Sequence, residues 1–214
     1  MSEALFGLLG VIVGSFIPWI KEALSARRSR AEHATYLAVR VICILDEYIE
    51  KCIEVVHDDG TVMGLASHRD KDGSEHYHPV VPLPEDPKFP ADVDWKSIDS
   101  ALMYRILTLP NSVRNTDSHI QWASDEEAWP PYYEEVYEAR QKGYAKLGLE
   151  AIAIIDHLRA TYNLPEKTHA TQNADWTPKT VLEGKLKKLE EQKPAVFSPP
   201  ENIVSSSGKR GQHE

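Results

Sequence analysis

From Ala4 to Ile20 the chain runs for 17 residues without a charged side chain, and few folds can absorb such a segment. As a helix it would span ~25 Å, near the lower end of what a bilayer core requires. Trp19 stands where an interfacial aromatic belongs, and the Lys21 ammonium can reach back toward headgroups. Arg27, Arg28 and Arg30 follow within the window that sets topology, whereas the N-terminal flank offers only Glu3 and the amino group. This asymmetry predicts a single pass through the inner (cytoplasmic) membrane, with the N-terminus outside and the body in the cytoplasm. A cleaved secretory signal would open on basic residues, and this start is acidic. A soluble core helix is the remaining reading, but such a helix rarely hides every side from water.

Within the run, Gly7, Gly10 and Gly14 place small residues near one face, the last two as GxxxG. Two such helices can approach closely, which makes a homodimer through the anchor physically accessible. Pro18 lacks an amide hydrogen and leaves the Gly14 carbonyl without its usual helical partner, so a bend is expected near the membrane exit.

Charge is unevenly divided. Residues 1–30 hold four cations against Glu3 and Glu22, a net +2, so the remaining residues carry −11 of the formal total of −9. An acidic body lacks the clustered Lys and Arg that phosphate backbones need, which argues against a nucleic-acid partner. The two cysteines, Cys43 and Cys52, would lie ~13.5 Å apart along a helix, too far for a disulfide, and they lack the close CxxC spacing of a zinc or redox pair.

From Ala31 to His57 the apolar positions Leu37, Val41, Ile44, Tyr48, Cys52 and Val55, widened by Ile42, Leu45, Ile49, Ile53 and Val56, repeat at helical spacing. No breaker lies between Pro18 and Asp58, so the anchor is expected to continue into this first bundle helix. It should end at "HDDG", with Gly60 taking the left-handed conformation. "GTVMGLAS" and "HYHPVVPL" read as two short strands of one hairpin turning at Asp72-Gly73. "PLPEDPKFP" reads as an extended connector. A short helix carrying Ile98, Leu102, Ile106 and Leu109 should stop at Pro110, and a second should start at Asn111 with Val113, Ile120 and Trp122. After "EEAWPPYYEE", Tyr133, Tyr137, Arg140, Tyr144, Leu147, Ala151, Ile154 and Leu158 mark the longest body helix, whose natural antiparallel partner is helix 31–57. Thr177 and Pro178 open a last helix with Val181, Leu182, Leu186 and Leu189 on one face. The expected fold is mainly α. A single transmembrane anchor (1–24) continues into a cytoplasmic antiparallel helical domain (25–190) that bears a hairpin and proline-rich insertion (60–93). A mobile tail (191–214) follows.

"LAVRVICILDEYIEKC" at 37–52, "DVDWKSID" at 92–99, "YAKLGLEAI" at 144–152 and Asp175-Trp176-Thr177-Pro178 resemble phrases in a group of uncharacterised bacterial and phage proteins. Those proteins have a short apolar N-terminus and a helical body. The resemblance implies that architecture over most of residues 4–190 and no particular activity.

Candidate chemistry concentrates in the hairpin region. His57, His68, His76 and His78 stand among Asp58, Asp59, Asp70, Asp72 and Glu75. His76 and His78, as alternate residues, would share one side of a strand, and with a carboxylate they would supply three ligands of a zinc site. The plain alternative is a solvated hairpin whose acids serve its turns. Arg40 and Arg140 fall within apolar stripes, where they could bind an anionic ligand or pair with a glutamate such as Glu47 or Glu134. Ser112, Asp117 and His119 are the residue types of a triad without its geometry, and no phosphate loop or hydrolase elbow is present.

The function these features favour is a membrane-tethered binding or scaffold module for an unidentified protein partner, without catalysis of its own. Arg27, Arg28 and Arg30 would lie against anionic lipid at ~1 kcal/mol each. A metal-dependent enzyme or sensor built on the histidines is the alternative. A membrane-perturbing toxin or phage lysis factor is a third reading, which one short helix with a large folded body fits poorly.

Overall fold

The computed structural model describes residues 2–127, 129–166 and 176–191, with side chains from residue 19 onward except at 127. It is mainly helical, with two very small antiparallel hairpins. Helix α1 runs unbroken over Ser2–His57, the continuity expected from the lack of a breaker between Pro18 and Asp58. Of the positions the spacing marks, Leu37, Val41, Ile42, Leu45, Tyr48, Ile49, Cys52, Ile53, Val55 and Val56 are buried, and Ile44 is half-buried. Packing of the described residues begins only at Ala34, because every residue from Trp19 to His33 is exposed. Among the described residues no helix is long and apolar enough to cross a membrane. The run Ala4–Ile20 lies almost wholly among residues whose side chains are not described. Gly7, Gly10 and Gly14 fall there too, as does most of the tail at 192–214.

The insertion differs from the expectation of one hairpin. β1 (Thr61–Val62) pairs with β2 (Leu65–Ala66), and β3 (His68–Arg69) pairs with β4 (Glu75–His76), both antiparallel. The first run therefore folds on itself. Met63 and Gly64 both take positive φ, 54° and 79°, the pair of left-handed residues that a two-residue hairpin turn requires. Asp72-Gly73 turns the second hairpin as expected, with Gly73 at φ 92°. The extended connector follows to Pro90.

Pro110 is the second correction. α2 spans Ser100–Trp122 straight through it, after a 3-10 turn at Trp95–Ser97. Asp99, rather than Asn111, is the cap, accepting from the amides of Ala101 and Leu102. The stripe Leu102, Ile106, Leu109, Val113 and Ile120 is buried without a break across the proline. Burial on both sides outweighs the local penalty of one missing amide hydrogen bond, about 3 kcal/mol.

α3 (Glu134–Tyr162) and α1 form the expected pair, and α3 also carries α2 and α4 (Pro178–Glu191). Arg140, Tyr144, Leu147, Ala151, Ile154 and Leu158 are all buried on α3. Gly148 sets the closeness of that packing: a Cβ there would lie 2.7 Å from Leu182 Cδ1 and 3.3 Å from Cys52 Cβ. α4 opens as its sequence requires, with Thr177 Oγ1 accepting from the Thr180 amide.

Candidate functional site

The chemistry-bearing residues gather at the end of the bundle where α1 stops and α3 begins. Asp58 organises this pole. The carboxylate is 2% exposed and the Arg140 side chain 7%, and they meet at 3.0 Å. Asp58 also accepts from the backbone amides of Gly60, Val80 and Val81. Arg140 donates a further bond to the Val81 carbonyl, and Gln141 Nε2 donates to the Asp58 carbonyl at 2.9 Å. Two helices and the connector are thus tied at one buried node. Arg140 pairs with neither Glu47 nor Glu134, and its charge is already neutralised. Arg40 lies about 27 Å away along α1, its side chain 37% exposed, donating to Tyr36 and Asp92. The two arginines do not form one anion site.

Around this node the hairpins are fastened to the start of α3. Tyr137 donates to the Tyr77 carbonyl at 3.0 Å, and the Tyr77 amide donates to Pro131. Tyr77 stacks on Tyr132, and the His78 ring lies 4.6 Å from that of Tyr133. Ser67 Oγ takes the His78 amide at 2.8 Å. Three of the four predicted histidines come together here. The rings of His68, His76 and His78 are mutually 6.0–6.3 Å apart. The carboxylate of Asp70 receives Nε2 of His68 at 3.2 Å and Nε2 of His76 at 3.0 Å. His57, the exposed last residue of α1, is not among these ring contacts. Among the described residues no group of three or more His, Cys, Asp or Glu side chains is placed to hold a metal ion.

The acids divide between turns and core. Asp59 and Asp72 sit below the ordinary carboxylate value of 3.8, held there chiefly by Thr61 and by the Ser74 amide respectively. Asp117 accepts from the Tyr144 hydroxyl at 2.7 Å, and its burial pushes its pKa up. His119 stacks on Trp122 instead of approaching Asp117, so no triad forms. Burial pushes the Cys52 thiol up to about 12, which keeps it protonated and unreactive.

Two features escape sequence reasoning. A cleft of about 150 Å³ opens between α1, α3 and the start of α4, with Ile49, Ile53, Ile152 and Ile155 as floor, Trp176 as wall and the pair Asp46–Arg159 at the rim. No sequence signal places Trp176 against these helices. The second is Asp58 itself. A charge at position 140 in an apolar stripe predicts a partner, and antiparallel pairing points to an acid at the far end of α1. The adjacent Asp59 is chemically equivalent in the sequence, however, and faces its own turn, toward Thr61.

At the opposite end of the molecule, Trp19, Lys21, Arg27 and Arg28 are exposed on bare helix, with Arg28 paired to Glu32 at 3.2 Å. Arg30, also exposed, makes contacts with the body. It reaches the carbonyls of Lys96 and Ser97 at 2.8 and 3.4 Å and braces the base of the helix against the 3-10 turn.

No protein-family model, curated protein or solved structure matches this chain. The resemblance to bacterial and phage proteins therefore rests on the quoted phrases alone.

Proposed function

We propose that the protein is a membrane-tethered binding module. In this reading, residues 4–20 cross the inner membrane once with the N-terminus outside, and the helical body holds its partner on the cytoplasmic side. The observation that carries it is the bare helix. α1 packs into the core only from Ala34 onward, and residues 19–33 are exposed over about 21 Å, with Arg30 reaching back to the Lys96 and Ser97 carbonyls. The same helix then enters an uncharged run that water solvates poorly. A lipid bilayer is the cover that the Trp19, Lys21 and arginine flank suits best. The glycine spacing at Gly7, Gly10 and Gly14 would let two anchors pair, doubling the body's valence at the surface.

The surface suited to a partner is the far pole. Val62, Met63 and Leu65 are exposed at the tip of the first hairpin, Met63 to 99%, and Trp129 and Tyr132 are exposed nearby in sequence to the α3 start that fastens the hairpins. Exposed aromatics and methionine favour protein recognition.

The test is fractionation of cells expressing the full chain, with carbonate-washed membranes treated with protease from either face. Retention in the membrane and cleavage of the body only from the cytoplasmic face support the reading. Release of the body by carbonate would overturn it and assign the run to a shared interface between copies.

A further inference from the structure

We infer that the cleft between α1, α3 and the start of α4 binds a free α-amino acid with an aromatic side chain. The inference does not depend on the membrane reading. It starts from a space that the packing leaves open. Ile49 and Ile53 of α1 and Ile152 and Ile155 of α3 form the floor, and Trp176 stands beside them as a wall. α4 is fixed by other residues: Leu182 is fully buried, and Thr177 Oγ1 closes the first turn by accepting from the Thr180 amide. Trp176 precedes that cap and is 43% exposed, so the indole walls the space without filling it. About 150 Å³ remains, the volume at which an apolar cavity takes up one benzene ring. A ring seated there would lie on isoleucine methyls and stack offset against the indole.

The rim selects the ligand's polar end. Asp46 of α1 and Arg159 of α3 face each other at 3.7 Å, so their charges already offset one another, and Glu50 is engaged in an interaction of its own. That leaves Asp156 of α3 and Lys179 in the first turn of α4, both exposed and both lining the cleft. Among the described residues neither is ion-paired. A ligand with an ammonium alone would use Asp156 and bring a second cation beside Lys179. A ligand with a carboxylate alone would meet the reverse conflict at Asp156. An α-amino acid carries both charges on one carbon next to its side chain, which matches an apolar floor under one available group of each sign. Charge-assisted hydrogen bonds would then hold its head at the rim. Convergent polar groups over an apolar pocket are the usual form of a small-molecule site. Bound, the ligand would tie the start of α4 to α3.

The experiment is titration of the purified full chain, by calorimetry and saturation-transfer NMR, with L-phenylalanine, phenethylamine and 3-phenylpropanoate. The last two keep the ring and each drop one charge. Hydrogen exchange over residues 176–182 is followed with and without phenylalanine. The expected result is one equivalent of phenylalanine bound at about millimolar affinity or tighter, slowed exchange in that window, and each analogue at least about fivefold weaker. Asp156→Asn should weaken phenylalanine about fivefold and leave 3-phenylpropanoate no weaker, whereas Lys179→Met should weaken phenylalanine equally and leave phenethylamine no weaker. Trp176→Ala should weaken all three about tenfold. If Trp176→Ala lowers the helix content by circular dichroism, the two rim variants, at exposed positions, give the reading. No saturable binding up to about 10 mM, analogues that bind as tightly as phenylalanine, or phenylalanine affinity unchanged in both rim variants overturns the site.

Discussion

Asp58 and Arg140 meet where neither can reach water, and the surrounding backbone amides make the pair selective for those two side chains. Removing the cation alone leaves a buried carboxylate. Arg140→Met is therefore expected to lower unfolding free energy by about 3–5 kcal/mol in urea titrations, with the hairpin region exchanging amide hydrogen first. Arg140→Lys restores the charge on a shorter side chain that must replace Nη2, the donor to both Asp58 and the Val81 carbonyl, so it should recover only part of the loss. Gly60 is constrained twice over: its φ is +74°, and an added Cβ would lie 2.3 Å from the Tyr137 hydroxyl. Gly60→Ala should lose about 1–2 kcal/mol from the dihedral alone, plus the Tyr137–Tyr77 bond. A midpoint unchanged from the parent would show that the turn can reshape. Residues such as Arg140 declare themselves in sequence by violating a pattern. Asp58 does not, because its difference from Asp59 is one of direction, which is set by the chain that folds over it.

At the scale of elements, local and tertiary rules competed at Pro110, and packing prevailed. Pro110→Ala restores an amide that can bond the Ile106 carbonyl, and it should raise stability by about 1–3 kcal/mol with an unchanged urea slope. A fall would mean that the Leu109 and Val113 packing uses the proline's geometry. The stripe from Leu102 to Ile120 is legible in the sequence as a period, and that period outranks the breaker because it is buried on both sides of Pro110. The two hairpins show the reverse. Their turns are local chemistry, but Met63 is a residue rarely associated with positive φ, so the first turn was hidden. Asp59 and Asp72 hold lowered pKa values in these loops. A depressed folded value contributes stability above the unfolded pKa, here near 3.8, and loses it as pH falls through the folded value. Amide exchange of residues 59–62 and 70–75 should therefore quicken below that range while the α1–α3 core remains protected. Loss of both together would contradict the assignment.

Seen whole, the molecule has a packed body and a bare helical stem, and the division falls at Ala34. A chain beginning at residue 26 keeps Arg30 and the entire buried core, so it should fold with the thermal midpoint of the full chain's body and stay in the supernatant on membrane flotation. Loss of its cooperative transition would show that the stem contributes to folding. Replacing Leu45, fully buried between helices, with Ala should lower stability by about 2–5 kcal/mol in either chain. The body's destabilisation is then separable from any change in membrane association.

Sequence by itself determined the helical periods, the pairing of α1 with α3, the cap and first turn of α4, the Gly60 stop and the gathering of histidines in one short stretch. These follow from spacing, because a period of three and four can be satisfied in only one way once an apolar face must be buried. Tertiary structure alone decided which acid meets Arg140, that α2 passes through Pro110, and that Arg30 braces the body. It also brought Trp176 to wall a cleft and gathered three imidazole rings to within 6.0–6.3 Å of one another. Each of these depends on where separate elements come to rest, and side-chain direction across elements is carried by packing, not by any local run of residues.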